Sequence, residues 1–141
     1  MRTADALLTG EAEALGRQVA ESLLQGPTGM FVMGGEPTVT LPARPGRGGR
    51  MQTLALSAAG RLAGSDCLLL AAGTDGADGP GEDAGAIVDG GTLDRARRAG
   101  FDPAAALAQA DAGRVLTGTG DLLQTGPTGT NVMDLVIGLK P

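Results

Sequence analysis

Apolar residues follow two kinds of spacing along this chain. Leu8, Ala12, Leu15, Val19 and Leu23 recur at three- and four-residue intervals, which predicts a helix over 10–24. Thr9 is its expected N-cap, with Glu11 and Glu13 favourably placed in the first turn. Met51, Leu54, Ala55, Ala58 and Leu62 repeat the helical pattern and predict a second helix over 49–62. Shorter apolar runs predict strands at 30–33, closed by Gly34-Gly35, and at 38–41, where β-branched residues alternate. The run 67–72 is apolar throughout, as strands of parallel sheets usually are, and 132–139 is the last strand. Residues 86–88 are too few to assign. Thr92 starts a helix to 99 with Gly100 at C′, and Asp102-Pro103 starts another to 109. Residues 111–116 add a further helical turn or two. Strands alternating with helices predict an α/β layered domain with a mixed, mostly parallel sheet flanked by helices. At 141 residues the chain closes one core, so a single domain is expected, with 1–25 as a leading helix and 30–141 as its core.

Composition narrows the chemistry. Phe31 and Phe101 are the only aromatic residues, so the core must be built from Leu, Val, Ile, Met and Ala. The absence of histidine removes the usual general base and the commonest transition-metal ligand. Cys67, the only cysteine, opens an apolar run and reads as a buried structural thiol; with no disulfide available, a reducing compartment suits the chain. Acids interrupt the N-terminus where a signal peptide would be apolar, and no stretch is long enough to span a membrane. The expected location is the cytoplasm. A net charge of −5 argues against nucleic-acid and anionic-membrane partners. The charge is nonetheless segregated. Residues 37–65 hold Arg44, Arg47, Arg50 and Arg61 and no acid, whereas 66–94 hold Asp75, Asp78, Glu82 and Asp83 among other acids and no base. Such loops could hold an anion and a cation side by side, or simply be two solvated loops of opposite sign.

Three glycine-rich loops are the candidates for chemistry. In the first, Arg47, Gly48, Gly49 and Arg50 open a helix, where free amides and guanidiniums make an anion site; the alternative is a solvated turn. In the second, 73–85, Thr74, Asp75, Asp78 and Asp83 follow a buried strand. Carboxylates so spaced can hold a hard cation such as Mg²⁺ or accept a hydroxyl proton, or they can make Asx turns and caps. In the third, 125–131, Thr128 and Asn131 could cradle a phosphate or a carboxylate, or form a rigid turn under the other loops.

Taken in order, Gly34-Gly35-Glu36, Thr38-Val39-Thr40, the 46–50 loop with Gln52, the 73–85 loop with Asp89-Gly90, and Gly118-Thr119-Gly120-Asp121-Leu122-Leu123 running into 125–131 resemble the C-terminal MOFRL domain of two-domain glycerate kinases. Some members of that family carry the name hydroxypyruvate reductase. The resemblance covers nearly the whole chain. It implies an ATP- and Mg²⁺-dependent kinase acting on the 2-hydroxyl of glycerate, with its active site in a cleft against a larger N-terminal Rossmann-like domain. That N-terminal kinase domain is the expected partner. The chain is accordingly expected to be a fragment, split subunit or truncated product, inactive alone and able to self-associate into a homo-oligomer.

On matching positions, the resemblance implies catalytic roles for Arg50 and Asp75. It implies substrate or phosphate binding by Gly35, Glu36, Arg47, Gly48, Gly49, Thr74, Thr128 and Asn131, and metal binding by Asp75, Asp78 and Asp83. The sequence departs from the family where Met51 and Thr53 flank Gln52 in place of Asn and Glu, at Pro37 in place of Thr, and at Gly81-Glu82 in place of Thr-Asp. Two other functions compete. A reductase using NAD(P)H would need a Gly-x-Gly-x-x-Gly turn opening a helix after a strand, and none occurs. A non-catalytic binding or oligomerisation module would keep the fold without the chemistry.

Overall fold

Helix α2 (Arg50–Leu62) is the axis around which the other elements gather. The computed structural model describes residues 2–3 and 7–141, and in it every residue of α2 from 51 to 59 is buried. Around it the chain runs β1 (Arg2–Thr3), α1 (Ala12–Gln25), β2 (Gly29–Gly35), then after α2 β3 (Leu68–Gly73), β4 (Gly85–Asp89), α3 (Thr92–Arg98), α4 (Pro103–Ala108), α5 (Ala112–Thr119), β5 (Leu122–Leu123) and β6 (Asp134–Lys140). One side of α2 lies on β3 and β4, and α1 and α5 cover its other sides. The α1–α2 contact is close because Gly16 has no side chain. A Cβ there would strike the Leu54 carbonyl oxygen and come within 2.9 Å of the Ser57 Cβ. Leu54, Leu56, Leu62, Leu69, Val88, Leu116 and Val136 are the large buried side chains of the resulting core, an aliphatic interior as the composition requires.

The six strands form one sheet in the order β1-β2-β6-β3-β4-β5. Only the two-residue β1 pairs in parallel, with β2; every other neighbour is antiparallel. The architecture is the expected α/β layer with a mixed sheet, but a mostly antiparallel one. The apolar run at 67–72 suggested parallel pairing because it has no polar face. In the structure it lies antiparallel between β4 and β6, and its sequence reflects apolar residues on both faces rather than strand direction.

Residues 38–41 are not a strand. They cross the N-terminus of α1, where Thr38 N–H donates to the Gly10 carbonyl at 2.9 Å and Ala12 N–H donates to the Thr38 carbonyl at 2.7 Å. The Glu11 carboxylate collects Thr40 N–H at 3.1 Å and the Thr40 hydroxyl at 3.0 Å. Glu11, not Thr9, is therefore the N-cap residue of α1, and its side chain binds the 38–40 segment instead of the helix's own amides. At the other end of α1, Lys140 Nζ donates to the carbonyls of Leu24 and Gly26 at 2.6 and 2.7 Å, a cation where the helix dipole is negative. The Asp102 cap with proline behind it forms as predicted, its carboxylate accepting from Ala105 N–H. No helix among the described residues is long and apolar enough to cross a membrane.

Candidate functional site

Antiparallel pairing brings the C-terminal ends of β2 and β3 and the N-terminal ends of β4 and β6 to one edge of the sheet. The loops that leave these ends carry all the residues singled out in the sequence. Gly35, Asp134 and Gly73 are register neighbours across this edge, and the N-terminus of α2 faces it.

Arg50, the first residue of α2, lies across the edge. Its Nε donates to Asp134 Oδ2 at 2.6 Å and its Nη2 approaches Glu36 Oε1 at 3.4 Å. The Asp134 side chain is only 6% exposed, while that of Arg50 is 34% exposed and that of Glu36 is 62% exposed. The Asp134 hydrogen bond, opposed by desolvation, raises the already high pKa of Arg50. Arg50 is thus a guanidinium anchored on its Nε side by a buried carboxylate, with Nη2 beside the exposed Glu36 and the side chain partly open to solvent. Such a group can meet an external anion at little orientational cost. Asp134 was not a candidate in the sequence, where it falls inside the strand expected over 132–139; in the structure it opens β6. An acid at the start of a buried strand was the available signal, since a buried carboxylate requires a donor or a cation.

Asp78 takes the capping role that the sequence left open as the alternative to metal binding. Its carboxylate accepts from Met51 N–H at 2.9 Å and Gln52 N–H at 2.8 Å, so a side chain from the 73–85 loop caps α2. Burial pushes the Asp78 carboxyl above the usual carboxylate range, while the two amides work against that rise. These helix amides, expected to be free for a phosphate, already hold an anion. The glycines of the 46–50 loop serve the same contact. A Cβ on Gly49 would strike Asp78 Oδ1, so only glycine lets the two loops meet. Gly48 lies in the adjoining turn, half-buried against Gly113 and Gln52.

Arg47 donates its N–H to Asp111 Oδ1 at 2.8 Å and places its exposed guanidinium 3.9 Å from Asp83 Oδ2. Asp83 also accepts from Gln124 Nε2 at 2.8 Å. Arg47, Gly48, Gln52 and Asp83 line a small cleft of about 210 Å³. Asp75 is exposed on the next loop, where its Oδ1 accepts from Ala77 N–H at 3.0 Å in an Asx turn. It lines a second, open cleft of about 490 Å³ with Glu82, Gln124 and Pro127.

The third loop is tied beneath Asp75. Thr74 Oγ1 donates to the Met133 carbonyl and accepts from Val132 N–H. Thr128 Oγ1 donates to the Thr74 carbonyl, and Thr128 N–H donates to the Asp75 carbonyl. Asn131 Oδ1 accepts from Met133 N–H at 3.0 Å. These threonines and Asn131 direct their side chains to backbone and hold the loop pair rigid. Gly35 is buried where β2 bridges to Leu8.

The edge therefore gathers Glu36, Arg50 and Asp134 into one ion-paired group and Arg47, Asp83 and Gln124 into another, with Asp75 apart at the start of the loop that carries Asp83. It does not gather Asp75, Asp78 and Asp83. Each serves a different partner, and among the described residues no group of three or more Asp, Glu, Cys or His side chains is placed to hold a metal ion.

Comparison with known proteins gives this edge its context. A glycerate 2-kinase of Pyrococcus horikoshii is 43% identical over 113 residues, spanning 80% of this chain and 26% of that protein. A D-glycerate 2-kinase of Thermotoga maritima is 50% identical over 110 residues, spanning 77% of this chain and 26% of that protein. The crystal structure of the Thermotoga maritima glycerate kinase superposes with a TM-score of 0.93 at 41% identity, covering 100% of this chain and 36% of that one. The chain thus spans about a quarter to a third of the proteins it matches. Residues 29–134, from the start of β2 to the start of β6, match the MOFRL family, and the chain belongs to that family.

Proposed function

We propose that this chain contributes one wall of the active site of an ATP-dependent glycerate 2-kinase, and that the other wall comes from polypeptide equivalent to the rest of its relatives. The observation that carries this reading is Arg50, a guanidinium fixed by buried Asp134 at the loop edge, with Arg47 on the adjoining loop. Both relatives named above phosphorylate glycerate by name.

Phosphoryl transfer to an alcohol needs positioning and charge neutralisation more than covalent help from the protein, which suits a site without histidine. Arg50 and Arg47 would balance the negative charge of a phosphoryl group or of the glycerate carboxylate. Asp75, with one carboxylate oxygen in its turn and the other facing the open cleft, would accept the proton of the 2-hydroxyl. That oxygen attacks the terminal phosphorus of ATP, and ADP leaves with the bonding pair of the broken P–O bond. Among the described residues no acids form a metal-ligand group, and these steps use only this chain's own side chains and the two substrates. A reductase reading gains nothing from the fold, since the parallel β1–α1–β2 unit carries no glycine fingerprint between strand and helix.

The test is to exchange this chain for the matching stretch of the Thermotoga maritima kinase and assay ATP-dependent glycerate phosphorylation beside the isolated chain. The hybrid should turn over and the isolated chain should not. A folded hybrid that binds ATP yet leaves glycerate unphosphorylated overturns the reading. In the active hybrid, Asp75→Asn should lower kcat by about two orders of magnitude, the scale of a positioned acid–base group. Turnover within a few-fold of the parent would make Asp75 a turn residue only.

A further inference from the structure

The sheet is apolar on both faces, and one of them is open. Phe31, Met33, Leu69, Ala71, Val88 and Val136 join the helix-covered core. The alternate positions of the same strands point away from the helices and form three rows. Met30 stands opposite Leu139 and Leu139 opposite Leu68; Val32, Ile137, Leu70 and Ile87 follow in the next row; Gly34, Leu135 and Ala72 make the third. Asp89 closes the first row opposite Leu68, at the end of β4, and its carboxylate is paired with Arg95; the other residues named in these rows are uncharged. Met30 and Ile87 are each 41% exposed and Leu68 is 37% exposed.

The water-facing side of an antiparallel sheet ordinarily alternates to polar residues. Apart from Asp89 at its margin this one does not, which is the pattern of a sheet meant to be covered twice. The three rows span roughly 300 Å² of sheet plane, at ~4.8 Å between strands and ~6.8 Å between same-face residues. A stable dimer of separate chains buries about 800 Å² per partner, far more than this face offers. Domains of one polypeptide pack across about 300–750 Å² a side, because a tether removes most of the association cost. The matched kinases carry the required tethered polypeptide, since this chain covers only 26% of each of the two relatives and 36% of the solved chain.

We infer that the open sheet face is the docking surface for the remainder of the longer polypeptide, which presents an apolar helical layer to it and makes the sheet the middle of three layers. The inference rests on the family assignment and on this geometry, and not on the kinase chemistry.

Thiol labelling tests it. Cys67 is buried, so Ile87→Cys provides one reactive thiol on the open face and Arg98→Cys provides one on α3, away from it. In the isolated chain both should label quickly. In the hybrid with the Thermotoga maritima kinase, Ile87→Cys should label at least ten-fold more slowly while Arg98→Cys keeps its rate. Equal labelling of Ile87→Cys in both settings overturns the inference. So does an isolated chain whose Ile87→Cys labelling slows as its mass doubles in light scattering, which would make a second copy the occupant. Should the hybrid not fold, titrating this chain with the remainder of the Thermotoga maritima kinase as a separate polypeptide gives the same decision. Binding weakened at least ten-fold by Ile87→Lys supports the inference, and binding unchanged by it, or absent, overturns it. An inactive hybrid with a protected Ile87→Cys would sink the kinase reading and leave this one standing.

Discussion

Arg50→Ala in the assembled enzyme should lower kcat/KM for glycerate by about 10²–10³, the range for removing one preorganised electrostatic contact to a transition state. The size of the effect follows from the anchoring. Asp134 holds the guanidinium at Nε at 2.6 Å, so the contact needs no reorganisation when charge develops on the phosphoryl oxygens. Arg50→Lys should recover little of the loss, because an ammonium cannot bond Asp134 and a second anion in the same plane. Asp134→Asn should keep the fold and lower kcat with less effect on KM, since the arginine remains but is no longer fixed. Steady-state kinetics on the three variants, with thermal melts to exclude unfolding, decides the matter. Arg50→Ala within three-fold of the parent would reduce the Arg50–Asp134 pair to a structural link between α2 and β6.

Asp78→Ala should be the most destabilising of the polar substitutions around the edge. It strips the partners from Met51 N–H and Gln52 N–H, both belonging to buried residues of α2. Leaving buried donors unpaired costs about 1–3 kcal/mol each. A loss of about 2–4 kcal/mol overall corresponds to a Tm drop on the order of 6–12 °C for a chain of this size. The pH dependence gives an independent check. A carboxyl raised by burial binds its proton more tightly folded than unfolded, so the contribution of Asp78 to stability falls as pH rises from the ordinary carboxylate value through its elevated one. Asp78→Ala should lack that part of the pH slope. Denaturant melts between pH 3 and pH 8 would show it, and a variant as stable as the parent would mean that water replaces the cap.

The helices were legible in the sequence because apolar spacing and punctuation agree on them, as at α1, α2 and the Asp102-Pro103 cap of α4. Strand position was legible at β2, β3 and β6, but strand direction was not. An all-apolar strand such as β3 records that both faces meet apolar neighbours, and parallel pairing is only one way to produce that. The alternating residues 38–41 read as a strand because β-branched threonines suit one. Their hydroxyls and amides are instead spent on Glu11, a contact between distant residues that no local pattern discloses. The same limit governed the site. The loops at the sheet edge were legible from their glycines and charges. The pairings within them, Asp78 with the α2 amides and Asp134 with Arg50, span separations of 26–27 and 84 residues and depend on the sheet order.

That sheet order also constrains how the chain can fold. Strand β6, seven residues long, follows all the other described strands in the chain, yet sits between β2 and β3 and joins two groups of strands that do not otherwise pair. Until β6 arrives, β2 and β3 each present a bare apolar edge, the feature most prone to pair with another chain. Closure then requires contacts between residues as far apart as Met30 and Leu139, which makes the search slow. Before β6 is in place the chain can therefore prepare two half-sheets but cannot complete the sheet. The interval before β6 is placed is when the chain depends most on a chaperone holding it apart from its neighbours.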